Sequence, residues 1–217
     1  MELYQKDWAL IIEKLNDVIH DIYIKRNRKL YTSKTKINPI GVTDEILDFC
    51  HNNAISIERS SKGITKESPT FWKLIFNLPS FNDKYNIINY RTILMVSKLE
   101  RIFCIINLAQ FKNIDPCGFK NYLDVGKDSS EPFTSLQEEL CDKLISWLST
   151  YGYNQLQNFA FNMPVVCLKN VYLENSFKQL PDPVPEEMLI PSYYDVFFHY
   201  EFNDLVASNY AQRTTDH

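Results

Sequence analysis

The sequence predicts a mainly α-helical protein. It would have one helical core around a buried central helix at about 85–111, at most a few short strands, and an aromatic C-terminal helix behind a proline-rich linker. Three observations carry that expectation. Ile93, Val96, Leu99, Phe103, Ile106 and Ala109 recur at spacings of three and four, which traces one helical stripe. Leu94, Ile102, Ile105 and Leu108 widen the stripe around much of the circumference, as in a helix buried on several sides. Glycine is scarce, at 5 of 217 residues against 13 tyrosines and 14 phenylalanines, which argues against a turn-rich β fold and against phosphate-cradling loops.

The elements follow in chain order. Residues 4–24 read as an amphipathic helix, with Trp8, Ile11, Leu15, Val18 and Ile22 on one face and Glu13, Lys14, Asp17 and Asp21 on the other. Its apolar face packs on the core or offers a seam to a partner helix. Pro39 and Gly41 mark a turn. Thr43 reads as an N-cap, with Asp44 and Glu45 in the first turn of a short helix ending near Asn52. Ile55 and Ile57 alternate with polar residues and permit one short strand. Ser68 with Pro69 reads as a helix start, which predicts a helix over 69–78 that Pro79 ends.

Beyond the central helix, Asp115-Pro116-Cys117-Gly118 is a turn, and Phe119, Tyr122, Leu123 and Val125 form a short apolar element. Ser135 with Glu138 is a capping box opening a helix through Leu140, Leu144, Trp147 and Leu148, with Gly152 as its stop. Residues 154–163 fit either helix or irregular structure, and 164–168 lean to strand. Leu180-Pro181-Asp182-Pro183-Val184-Pro185 reads as an extended linker. The expected organisation is a core over 1–180, a linker over 181–191 and a docking helix with its tail over 192–217.

Composition bounds the function. The net charge is −4, yet Lys25, Arg26, Arg28, Lys29, Lys34 and Lys36 form a basic run without an intervening acid. That run fits a helix end and loop in solvent, an acidic protein partner, or nucleic acid. From Glu174 onward acids face only Lys178 and Arg213. The 5 cysteines include no C-x-x-C pair and read as reduced, buried thiols. Glu2, Lys6 and Asp7 interrupt the start, and no apolar run approaches the ~18 residues of a membrane span, so a cytoplasmic protein is expected. Frequent Lys, Ile and Asn suggest an AT-rich genome.

Catalytic chemistry finds little footing. Gly126-Lys127-Asp128-Ser129 lacks the first glycine of a phosphate-binding loop, and Asp128 stands where its hydroxyl belongs. Cys50 and His51 are adjacent and point about 100° apart on a helix, which is poor for joint ligation. His199 and Glu201 with Asp195 fit a structural hydrogen bond better than an acid–base group. No catalytic, cofactor-binding or metal-binding residue is assigned, and no cofactor is expected.

The expected function is a non-catalytic protein-interaction subunit. It would be an accessory or adaptor component of a complex, or an inhibitor of immunity type, in a bacterial or phage-related setting such as antiviral defence. The partner-binding residues are Tyr194, Phe197, Phe198, Phe202 and Leu205, because so aromatic a segment must bury its rings somewhere. The alternative is a nucleic-acid-binding accessory protein using residues 25–36. A divergent enzyme without a recognisable motif ranks third.

Overall fold

Isoleucine, with leucine and phenylalanine, crowds residues 86–114, and there the chain forms two long antiparallel strands. In the computed structural model, which describes residues 2–21, 41–59, 71–82, 86–114, 120–126, 131–156, 163–165 and 191–198, these are β4 (Asn86–Ser97) and β5 (Ile102–Ile114). They pair in unbroken register from Asn86 opposite Asn113 to Val96 opposite Phe103. The expected central helix over 85–111 does not exist, and the fold is a sheet-rich α/β architecture instead of an all-α one. The reason is burial on both sides. A strand covered on both faces loses its apolar–polar alternation and reads as a continuous apolar run. In so dense a run, spacings of three and four occur by chance.

The polar interruption Ser97-Lys98-Leu99-Glu100-Arg101 is the hairpin turn between them. Ser97 Oγ accepts from the Leu99 and Glu100 amides at 3.1 and 3.3 Å, and the Ile102 amide donates to the Glu100 carbonyl at 2.8 Å. Lys98 is only 4 % exposed, its ammonium lying over the Trp72 indole at 5.1 Å from the ring centroid.

The sheet runs in the order β1, β2, β4, β5, β6, from β1 (Ser56–Arg59) and β2 (Phe71–Asn77) to β6 (Lys120–Gly126). Short β3 (Phe81–Asn82) adds to the outer part of β4, and β7 (Asn154–Gln155) pairs parallel to the start of β5. The predicted helix over 69–78 is therefore a second correction, since β2 occupies that stretch. Phe71, Trp72, Leu74 and Phe76 are apolar residues of a half-buried strand paired with β4, and the tertiary pairing outweighs the local Ser-Pro signal.

Helices cover both faces. On one lie α1 (Glu2–Ile19) and the short C-terminal α4 (Tyr193–Phe198). Leu15, Val18 and Ile19 pack there with Phe71, Met95, Leu99, Ile102 and Cys104. On the other lie α2 (Asp44–Asn52) and α3 (Ser135–Thr150). Ile46, Cys50, Leu140, Leu144 and Leu148 pack there with Phe76, Leu94, Val96, Phe103 and Ile105. Even-numbered residues of β4 face α2 and α3, and odd-numbered ones face α1 and α4, as the period of two requires. The described part of the segment expected as a docking helix over 192–217 packs on the same face of the sheet as α1.

The helix ends show why these segments are helical. Thr134, one residue ahead of the expected Ser135, is the N-cap of α3: its hydroxyl accepts from the Gln137 amide at 3.1 Å. The Gln137 side chain accepts in return from the Phe133 amide at 2.9 Å. Thr43 holds the N-cap position of α2 without a side-chain bond. At the other ends, α2 and α3 stop in the same way. In α3, Gly152 takes a left-handed φ of 73°, its amide donating to Ser149 and the next amide to Leu148. In α2, Ala54 holds the matching position at φ 52°, with Ile55 donating back to Cys50.

Candidate functional site

The sequence-predicted partner residues divide sharply. Phe197 and Phe198 are buried in the chain's own core, at 0 and 2 % exposure, and Tyr194 is half-buried beside them. Phe198 meets Phe71 edge-on at 6.2 Å between ring centroids. Two polar contacts fix α4 in place. The Tyr193 hydroxyl donates to Asn16 Oδ1 of α1 at 2.6 Å. Asp195 accepts from both the amide and the hydroxyl of Ser192 at 2.8 Å, closing the first turn. Asp195 is therefore engaged as a cap at the start of α4. Phe202, Leu205, His199 and Glu201 lie outside the described residues, as do Lys25, Arg26, Arg28, Lys29, Lys34 and Lys36.

Burial holds the interior thiols and the Tyr194 hydroxyl in their neutral, protonated forms. Burial pushes the thiols of Cys50 and Cys104 up, and raises Cys141 against the opposing effect of its contact with Asn107. Thiols so shifted carry little thiolate and make poor nucleophiles and metal ligands. Burial likewise pushes Tyr194 up to about 12. His51 is exposed at the end of α2 while Cys50 points into the core, as their adjacency requires. Among the described residues no cluster of His, Cys, Asp and Glu has the makings of a metal site. Among the same residues no helix is long and apolar enough to cross a membrane.

One buried polar cluster joins the sheet to α3. Thr92 and Asn107 are register partners with no exposed surface. The Thr92 hydroxyl donates to Asn107 Oδ1 at 2.7 Å, and Asn107 Nδ2 donates to Cys141 Sγ at 3.4 Å. Gln137 Nε2 donates to the Arg91 carbonyl at 3.0 Å. These groups satisfy one another, and what the arrangement does chemically is to hold α3 in one position on β4 and β5.

Farther out along the same face lie large apolar residues that stay partly exposed. Phe81 of β3 lies opposite Ile88 of β4, which lies opposite Phe111 of β5. Direct partners in antiparallel strands share a face, so the three make one apolar row across three strands. Phe81 is 53 % and Phe111 37 % exposed, with Ile88 half-buried between them. The row adjoins the Tyr90–Ala109 and Thr92–Asn107 pairs that lead back under α3. Among the described residues, alternation sends the strand cations of this region elsewhere: Arg91 and Lys112, the latter opposite Ile87, belong to the other face.

Sequence reasoning did not find this row. Its signal was present in each aromatic singly, since Ser80-Phe81-Asn82 and Gln110-Phe111-Lys112 place a large ring between polar neighbours. Nothing local to either segment says that the rings meet across β4, because that depends on register.

No family model matches this chain, and neither a curated protein nor a solved structure is significantly similar to it.

Proposed function

We propose that the chain is a non-catalytic protein-interaction subunit whose contact surface is the Phe81–Ile88–Phe111 row. The observation that carries the reading is the exposure of two phenylalanine rings in one row across the sheet. Aromatic side chains with few rotamers are the usual anchors of protein interfaces, and a few of them supply most of the binding energy. The chemistry of the row selects an apolar surface of another protein. Exposed rings on a sheet also stack on the bases of single-stranded nucleic acid. Phosphate neutralisation dominates such binding, however, and Arg91 and Lys112 stand on the opposite face from the rings.

The test uses the whole chain. The partner is identified by co-purification from the native source and then titrated as a purified protein. Phe81→Thr with Phe111→Thr keeps β-compatible side chains, so the denaturation midpoint should move little. Affinity should fall at least tenfold, whereas Leu47→Thr on the exposed side of α2 should leave it unchanged. A folded double variant that binds as tightly as the parent overturns the proposal. Micromolar binding of a single-stranded oligonucleotide, falling with salt and lost on replacing Lys25, Arg26, Arg28 and Lys29 by Ala, would put the nucleic-acid reading in its place.

A further inference from the structure

We draw no further inference here: the strongest candidate, the exposed apolar row of Phe81, Ile88 and Phe111 on the outer end of the sheet, is the contact surface already proposed, and nothing in the structure shows which molecule covers it.

Discussion

Asn107 is a polar side chain with no exposed surface in the middle of an apolar sheet face. A group so placed costs free energy unless every hydrogen bond is met. Replacing it by Ala removes the acceptor of the buried Thr92 hydroxyl at 2.7 Å and the donor to Cys141. Asn107→Ala should therefore cost about 1–3 kcal/mol for the stranded polar group. Thr92→Val combined with Asn107→Leu should recover part of that loss, because both partners become apolar together. A double-mutant cycle from urea midpoints reads the coupling; additive effects would show that the pair does not act as a unit. Tyr194 gives a second test. Its hydroxyl is neutral when protonated, and burial raises it from the ordinary 10.0 to about 12 in the folded chain. The unfolded tyrosine ionises first, so its contribution is intact below about pH 10 and is lost as pH rises through about 12. Stability followed from pH 8 to 12 should fall less steeply in Tyr194→Phe than in the parent. An identical alkaline profile would mean that the hydroxyl is solvated.

At the scale of elements, the two helix stops form a matched pair. Both α2 and α3 end in a left-handed residue followed by an amide that reaches back five residues. One uses Gly152, where φ 73° carries no Cβ penalty, and the other uses Ala54 at φ 52°, where it does. Ala54→Gly should accordingly stabilise by about 0.5–1 kcal/mol. Gly152→Ala should destabilise by at least as much, since its Cβ would also meet the Arg101 guanidinium at 3.3 Å. Thermal melts of both variants check the opposite signs. The start of α3 is as specific: Thr134→Ala should cost about 1 kcal/mol and Ser135→Ala much less, since only Thr134 accepts the Gln137 amide. Such ends were legible in the sequence because their signals are local. Gly152 and Thr43 stand where expected, and the capping box is displaced by one residue. The interiors of β2, β4 and β5 were not legible. Leu94 and Met95 face opposite helical layers, so both must be apolar, and the pattern that separates strand from helix disappears. The row at Phe81 and Phe111 was hidden for a related reason, since the rings stand 30 positions apart in sequence and one strand brings them together.

Across the whole molecule, β4 and β5 are shared by two hydrophobic clusters, one on each face of the sheet. Phe103 lies with α3, while Cys104, its neighbour in sequence, lies with α1 and α4. Neither helical layer has its own sheet, so loss of one face should remove the support of the other. Phe103→Ala and Phe197→Ala, on opposite faces, should each cost about 3–5 kcal/mol, as truncation of a buried phenylalanine does. Both should shift a single cooperative transition. Three buried cysteines among the described residues report the two sides: Cys104 lies on the α1 and α4 face, and Cys50 and Cys141 lie on the α2 and α3 face. Thiol labelling of the whole chain along a urea series, read cysteine by cysteine from peptide masses, should show all three becoming reactive at the same concentration. Earlier labelling of Cys104 alone would mean that α1 and α4 open as a unit while the opposite face stays folded. That result would contradict a single cooperative unit built on one shared sheet, and it would return the C-terminal aromatic segment to the role of a detachable docking element.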